Sequence, residues 1–263
     1  MMDVSPIPAF DDNYIWLLRD RGGSSATVVD PGDEEPVLAA LKAHGLVLSA
    51  ILITHHHFDH TGGVDELRDA YPDVRVFGPE DRRIRTLTDI VGEGDDIRVP
   101  GLAERFRVLE VPGHTSSHIA YLGAGALFCG DTLFAGGCGR VFDGTFEQLA
   151  ASLERIAALP PETLCYCAHE YTMANLGFAK WVEPESAAVA AREQAACGLR
   201  EAGRPTVPSR LAEELATNPF LRTRAPSVKS AAENASGGTL TTGAEVFTAL
   251  RRWKDEKYDC CVN

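Results

Sequence analysis

The feature that most constrains this chain is a group of metal-ligand side chains placed directly after an apolar run. Ala50-Ile51-Leu52-Ile53 is typical of a buried strand, and four of the eight histidines fall in the next stretch, His55-His56-His57-Phe58-Asp59-His60. Successive side chains of an extended segment point to opposite sides, so His55 and His57 share one side while His56 points away. Asp59 and His60 follow where the chain turns, and they predict a second focus. The spacing therefore indicates two metal ions.

The ligand types narrow the choice of metal. Imidazoles and carboxylates without paired thiolates favour zinc, with iron or manganese as alternatives, over copper(I) or an iron–sulfur cluster. The other explanation is an exposed polar loop with chance histidines, or core histidines satisfied by the backbone. That explanation is disfavoured, because Asp and His crowded at the end of a buried strand are costly without a ligand.

The same arrangement recurs three times further along the chain. An extended apolar segment runs into His114 after 106–111, into Asp131 after the hairpin 119–129, and into His169 after 163–167. The strand ends thus predict two sets of three ligands, with Asp131 bridging both ions. The first set is His55, His57 and His114, and the second set is Asp59, His60 and His169.

A site of this kind has the chemistry of a hydrolase. Zinc lowers the pKa of a bound water molecule from its high bulk value to ~7, and two ions ~3.5–4 Å apart can hold nucleophile and substrate together. Asp59, His60 and Asp131 are the predicted catalytic residues. The sequence has no Gly-x-Ser-x-Gly elbow or Walker loop as competing machinery. Asp30 is a candidate for a hydrogen bond to a ligand histidine, and His118 either orients a ligand or packs.

Hydrophobic periodicity predicts an α/β fold. A strand at 26–30, a helix at 34–44 and the strand before His55 form a βαβ unit, which favours helices packed outside a sheet. After His169 the patterns are helical, at 171–181, 185–202, 209–216 and 243–258, with no convincing strand. We therefore predict a metal-binding catalytic domain at 1–169 and a helical C-terminal domain at 170–263.

The overall charge argues against several classes of partner. The chain has 25 Lys and Arg against 38 Asp and Glu, a net charge of −13, and such an acidic surface repels nucleic acid and anionic membranes. No signal-peptide pattern opens the sequence, and no run approaches the ~18 apolar residues of a membrane span. Seven cysteines without framework spacing indicate reduced thiols. We expect a cytoplasmic monomer that binds neither nucleic acid nor membrane.

Four of these segments together resemble the metallo-β-lactamase superfamily. They are THHHFDHTGG (54–63), PGHT (112–115), GDT (130–132) and AHEYT (168–172). Within the superfamily the chain resembles the hydroxyacylglutathione hydrolases, or glyoxalase II enzymes, through GGCGR (136–140), TNPFLR (217–222) and LRRWKD (250–255). The first group of motifs identifies only the superfamily, whereas the second group is specific to this family.

The resemblance implies an αββα sandwich with a helical C-terminal domain and two metal ions. It implies hydrolysis of S-(2-hydroxyacyl)glutathione, such as S-D-lactoylglutathione, to glutathione and D-lactate, the second step of methylglyoxal detoxification. The metal ligands of the family fall on the two sets named above. Its glutathione contacts fall on Arg140, Phe142, Tyr171, Arg251 and Lys254. Phe142 stands where animal members have tyrosine, so it can pack but cannot donate a hydrogen bond, and Arg140 stands where they have lysine.

That substrate suits the chemistry of these side chains. The leaving group is a thiolate whose conjugate thiol has a pKa of ~8.5, so it needs little help from a general acid. Glutathione carries two carboxylates, which Arg140, Arg251 and Lys254 would bind on an otherwise acidic protein. The alternative for Arg251 and Lys254 is an ordinary solvated helix face.

Three other functions found in the superfamily are alternatives. One is a glutathione persulfide dioxygenase with a single iron ion, and the complete ligand set together with the C-terminal motif argues against it. Another is a non-catalytic or nucleic-acid-acting member, which the seven ligands and the net charge disfavour. The third is β-lactam hydrolysis, which usually belongs to exported proteins without the helical tail.

Overall fold

A six-stranded sheet contains most strands of the first hundred residues. The computed structural model describes the backbone of residues 2–262 and the side chains of residues 2–260. The strands lie in the order β1 to β6, antiparallel among the first three and parallel from β3 onward. They are β1 (Met2–Ala9), β2 (Asn13–Asp20), β3 (Ser25–Val29), β4 (Val47–Leu52), β5 (Arg75–Gly78) and β6 (Asp89–Ile90).

The first helix begins and ends where the sequence signals place it. Helix α1 (Glu34–His44) starts after Asp33, whose carboxylate accepts a backbone N–H of the first turn at 3.0 Å, and ends at Gly45 with φ 63°. Its apolar face is buried in one core with the sheet. Helices α2 (Phe58–Thr61) and α3 (Val64–Ala70) follow β4. Because β3 and β4 are parallel, the predicted βαβ unit is confirmed.

A second sheet contributes further strand ends. Its strands lie in the order β14-β13-β10-β9-β8-β7, and β11 pairs only with β12 in the described part of the chain. These strands are β7 (Asp96–Arg98), β8 (Arg105–Glu110), β9 (Ile119–Gly123), β10 (Ala126–Gly130), β11 (Leu133–Phe134), β12 (Gly137–Cys138), β13 (Leu164–Cys167) and β14 (Ser209–Arg210). Trp16 packs edge-on against Tyr166 with ring centroids 4.9 Å apart and donates to the Cys167 carbonyl at 2.9 Å. The two sheets therefore pack on each other at this point.

The chain divides into two compact units. The first unit contains the residues up to Glu110 together with Ser117–Gly130 and Tyr166–His169. The second unit contains Val111–Ser116, Asp131–Cys165 and the chain from Glu170 onward. The first unit thus includes the whole first sheet with its helices, and the second unit includes the helical region.

Helices form most of the second unit. They are α4 (Phe146–Ala157), α5 (Thr172–Val182), α6 (Ala187–Glu201), α7 (Leu211–Thr217), α8 (Pro226–Ser236), α9 (Gly243–Trp253) and α10 (Asp259–Val262), with a 3₁₀ helix at Pro219–Leu221 and a π-helix at Lys254–Tyr258. Fully buried Glu214 pairs with Arg192 and accepts the backbone N–H of Gly136 at 2.9 Å, so α7 anchors the hairpin of β11 and β12. Among residues 2–262, no helix has the length and apolar character needed to cross a membrane.

Two elements differ from the sequence expectation for physical reasons. Strand β1 contains Pro6 and Pro8, which lack an N–H, and it is accommodated because it lies at the edge of its sheet. Helix α8 lies between the helical patterns predicted at 209–216 and 243–258, and Pro226 is its first residue, where a missing N–H costs nothing. The α/β class with a helical region after His169 is confirmed, apart from the two residues of β14.

Candidate metal centre

The loop after β4 brings His55 and His57 together and turns His56 away from them. Buried His55 has its Nε2 atom 3.1 Å from Nδ1 of His57. His56 points away, with Nδ1 3.6 Å from an Asp81 carboxylate oxygen. The loop packs closely on the turn after β3, where a Cβ atom on Gly32 would lie 2.0 Å from the Asp59 carbonyl oxygen. Only glycine fits at that position, and this close approach fixes the turn that carries Asp59.

Asp59, His60 and His169 form a three-residue group in the first unit. Their ligand atoms all lie within 4.8 Å of one another. Oδ2 of Asp59 lies 3.4 Å from Nε2 of His60 and 3.4 Å from Nε2 of His169. A tetrahedral zinc ion with bonds of about 2.0–2.1 Å holds its ligand atoms roughly 3.3–3.4 Å apart. The donor set therefore fits a metal ion.

Each histidine of this group is oriented through its other ring nitrogen. Nδ1 of His60 lies 3.1 Å from an Asp30 carboxylate oxygen, and Nδ1 of His169 lies 2.7 Å from an Asp12 carboxylate oxygen. A carboxylate at Nδ1 fixes the tautomer in which Nε2 carries the lone pair. Both Nε2 atoms thus face Asp59 in the form that binds a metal.

The first unit also contains the pair His55 and His57 and the residues that support it. Nδ1 of His55 lies 3.1 Å from Oγ1 of Thr54, which in turn donates to Asp30 at 2.7 Å. The ring of His118 stacks on His55 with centroids 4.6 Å apart and planes 18° from parallel. Asp30 therefore supports His55 through Thr54, its carboxylate lies 3.1 Å from Nδ1 of His60, and His118 packs against a ligand candidate.

In the second unit His114 and Asp131 lie close together. Nε2 of His114 is 3.5 Å from Oδ2 of Asp131, and Nδ1 of His114 is 2.8 Å from the Arg140 carbonyl oxygen. A Cβ atom on Gly139 would lie 2.0 Å from the Asp131 carbonyl oxygen, so glycine is required for this approach. The edge of the exposed Phe142 ring lies beside His114, with centroids 5.2 Å apart.

Arg140, Arg251 and Lys254, here called the cationic cluster, meet two carboxylates in the second unit. Asp259 lies 2.8 Å from Arg140 and 2.8 Å from Lys254, and Asp255 lies 2.9 Å from Arg251. Arg251 is 1% exposed and donates to the Cys138 carbonyl at 3.1 Å, whereas the Arg140 side chain is 53% exposed. Tyr171 is partly exposed and contacts Phe134 edge-on.

Comparisons with known proteins decide the family. Residues 9–169 match the model of the metallo-β-lactamase superfamily, and residues 170–257 match the model of the hydroxyacylglutathione hydrolase C-terminus. A hydroxyacylglutathione hydrolase of Alkalilimnicola ehrlichii is 58% identical over 97% of this chain and 100% of that protein. The chain belongs to the hydroxyacylglutathione hydrolase family. It is a metal-dependent thioester hydrolase, so the predicted family and reaction class are confirmed.

Solved structures similar to this member of the hydroxyacylglutathione hydrolase family have the same fold. ETHE1 from Myxococcus xanthus is 25% identical with a TM-score of 0.66, covering 95% of this chain and 89% of that protein. TTHA1623, solved in a di-iron-bound form, is 32% identical with a TM-score of 0.54, covering 63% of this chain and 92% of that protein. The predicted metallo-β-lactamase fold class is thereby confirmed.

The electrostatics of the two units differ. Burial raises the pKa of Asp59, but hydrogen bonds with His169 and His60 outweigh it and hold that pKa well below its usual range. Asp59 is therefore ionised at neutral pH, as a metal ligand must be. In the cationic cluster, burial and the neighbouring Arg251 lower the pKa of Lys254, and burial raises the pKa of Cys138 to about 11.

Sequence reasoning missed two groups of residues around these side chains. Asp12 and Asn13 contact His169 and Asp59, and no local pattern predicts a pairing between such distant segments. Asp255 and Asp259 neutralise much of the cationic cluster. The spacing of Arg251 and Asp255, four residues apart on a helix, was a readable signal for one of these ion pairs.

Replacing Asp30 with asparagine is expected to weaken metal binding about 10–100-fold, the usual cost of losing a carboxylate behind a ligand histidine. Asp30 is 4% exposed, accepts hydrogen bonds from the N–H and Oγ1 of Thr54, and faces His60. The substitution therefore removes support from His60 directly and from His55 through Thr54. We also expect the metal-free protein to lose about 1–3 kcal/mol of unfolding free energy. Zinc titration and thermal unfolding measure the two effects.

The matched control is Asp65→Asn, which removes an exposed carboxylate from the first turn of α3. This variant should bind metal like the unmodified protein. An Asp30→Asn variant with unchanged zinc affinity would show that Asp30 does not support the ligands.

Proposed function

We propose that this hydrolase cleaves S-(2-hydroxyacyl)glutathione, S-D-lactoylglutathione in particular, to glutathione and a 2-hydroxy acid such as D-lactate. This reaction is the second step of methylglyoxal detoxification. The observation that carries the proposal is the three-residue group of Asp59, His60 and His169 at metal-ligand spacing, in a chain whose residues 170–257 match the hydroxyacylglutathione hydrolase C-terminus. The group supports metal-dependent hydrolysis, and the C-terminal match supports the glutathione thioester.

We assign two metal ions per chain to the seven predicted ligands. His55, His57 and His114 would hold the first ion, Asp59, His60 and His169 would hold the second, and Asp131 would be shared by both. Zinc is favoured by imidazole and carboxylate ligands, and iron or manganese are alternatives that the di-iron-bound form of TTHA1623 supports. When bound, such ions lower the pKa of a water molecule to ~7 and stabilise negative charge on the carbonyl oxygen of the thioester.

The chain's own side chains hold and balance these charges. Asp59 and Asp131 are the carboxylates among the proposed ligands. Each would offset part of the positive charge of the metal ions, which the five buried or half-buried imidazoles cannot do. The buried His60 ring lies between two carboxylates, with Nδ1 3.1 Å from Asp30 and Nε2 3.4 Å from Asp59. The thiol of glutathione has an ordinary pKa of ~8.5, so its thiolate can leave without a proton donor from the protein.

Recognition of glutathione is assigned to the second unit. Arg140, Arg251 and Lys254 would bind the carboxylates of the tripeptide, the Tyr171 hydroxyl would donate a hydrogen bond, and the Phe142 ring would pack. This assignment places catalysis in a domain at 1–169 and most glutathione contacts in a domain at 170–263. The protein is expected to act in the cytoplasm as a monomer, without nucleic acid or membrane.

Metal removal is the direct test. Elemental analysis of the purified protein should find about two equivalents of metal per chain, the number a two-ion site requires. Treatment with a strong chelator should abolish hydrolysis of S-D-lactoylglutathione, because without metal the water nucleophile keeps the high pKa of bulk water. Readdition of zinc, iron or manganese should restore the rate and rank the metals.

Two further substrates distinguish the alternatives. Oxygen uptake with glutathione persulfide would identify a dioxygenase, and nitrocefin turnover would identify a β-lactamase. A chelated sample that still cleaves the thioester at full rate would contradict the proposed mechanism.

A further inference from the structure

The turn between β1 and β2 contacts two of the three side chains of the Asp59, His60 and His169 group. Oδ1 of Asp12 lies 2.7 Å from Nδ1 of His169. The adjacent Asn13 donates from Nδ2 to Oδ2 of Asp59 at 3.1 Å. That oxygen is the one that lies 3.4 Å from Nε2 of both histidines. A single turn of the N-terminal hairpin therefore supports ligands that come from two distant segments.

Backbone pairing fixes the turn independently of the Asp12 side chain. Strands β1 and β2 pair up to Ala9 and Asn13, so the turn has only three residues between its strand ends. The N–H of Tyr14 donates to the Ala168 carbonyl at 2.6 Å, and Asn13 forms an isolated antiparallel bridge with His169. Main-chain bonds thus set the register that pairs Asn13 with His169 and brings the neighbouring Asp12 side chain to the His169 ring. The Asp12 side chain is 38% exposed, so its removal leaves no buried cavity.

The two side chains act on the ligands in different ways. Asp12 accepts a hydrogen bond from the Nδ1–H of His169, which would leave the Nε2 lone pair for the ion and make the imidazole a stronger electron-pair donor. Asn13 supplies an amide hydrogen to the ligand oxygen of Asp59, which fixes the rotation of a carboxylate whose side chain is 39% exposed. The third member, His60, is held from the core by Asp30.

We infer that Asp12 and Asn13 are positioning residues that orient His169 and Asp59 for one of the two metal ions only. The inference rests on the proposed ligand assignment. Asp30 differs from them because it faces His60 and, through Thr54, also supports His55, so its loss affects both ligand sets. The turn contacts His169 and Asp59, which both belong to the second set.

Titration of the metal-free full-length protein with Co²⁺ tests this inference, because the visible absorption of bound cobalt reports each site separately from turnover. The unmodified protein should bind two equivalents. In Asp12→Ala the Co²⁺ affinity of one site should fall by about 10–100-fold, while the affinity of the other site changes by less than about threefold. Asn13→Ala should lower the Co²⁺ affinity of the same site. Asp12→Glu, which restores a carboxylate, should recover part of the affinity lost in the alanine variant.

The matched control is Asp11→Asn, an exposed acid next to Asp12. It should bind both equivalents normally, which excludes a general effect of charge on the turn. Thermal midpoints of metal-free Asp12→Ala and the unmodified protein should agree within about 2 °C, as for other surface substitutions. If Asp12 had a purely structural role, the thermal midpoint of Asp12→Ala would fall and the Co²⁺ affinities of both sites would fall alike.

Two outcomes separate failure of the inference from failure of the proposed function. Two normal equivalents in Asp12→Ala, or equal weakening of both, would overturn the positioning role and leave the proposed hydrolysis intact. Fewer than two equivalents in the unmodified protein would contradict the ligand assignment itself.

Discussion

Substitution of Asp131 by alanine is expected to lower kcat/KM for S-D-lactoylglutathione by on the order of 10³-fold or more, together with loss of bound metal. Losing a group that merely supports a ligand costs about 10–100-fold, and losing a carboxylate that contacts the ion removes charge compensation as well. Asp131 is 6% exposed and its Oδ2 lies 3.5 Å from Nε2 of His114, so solvent cannot replace it freely. Elemental analysis and steady-state kinetics on the same sample measure both losses.

Asp131→Asn separates the charge of this side chain from its size. The amide fills the same volume but ligates metal weakly, so it should lose most of the activity while unfolding at a temperature close to that of the metal-free unmodified protein. Glu147→Gln, an exposed acid in the first turn of α4, is the control for general changes in charge. Near-normal turnover in Asp131→Ala would remove Asp131 from the ligand set.

Local periodicity was enough to predict the elements that carry the proposed ligands. Alternation along an extended segment put His55 and His57 on one side, and their ring nitrogens lie 3.1 Å apart. Helical spacing and a terminal glycine predicted α1 at its observed bounds, Glu34–His44. These features depend on neighbours in sequence, so the printed residues contain the information needed to predict them.

Contacts between distant segments could not be predicted in this way. The bond between Asp12 and His169 depends on the register of β2 beside the end of β13, which no local pattern encodes. Strand β1 was missed because two prolines depress strand propensity, although an edge position tolerates them. Tertiary structure also decides how a charged side chain is used. Arg251, for which a solvated helix face was the alternative, is almost fully buried.

Arg251→Ala and Lys254→Ala are each expected to raise KM for S-D-lactoylglutathione about 10–100-fold with little change in kcat. A hydrogen bond to a charged group contributes about 1.5–3 kcal/mol, which corresponds to that range, and binding that is equal in ground and transition states appears in KM alone. Burial of Arg251 adds a second effect, because its removal leaves the Cys138 carbonyl without this donor. Kinetics should therefore be paired with thermal unfolding for each variant.

The acidic partners of the cationic cluster supply a control with the opposite sign. Asp259 lies 2.8 Å from both Arg140 and Lys254, where it competes with any incoming carboxylate. Asp259→Asn keeps the size of the side chain, removes the competing charge, and should lower KM while the alanine variants raise it. If Lys254→Ala reduced kcat at unchanged KM, or Asp259→Asn raised KM as much as Lys254→Ala does, the cluster would serve the fold of α9 and the π-helix rather than glutathione.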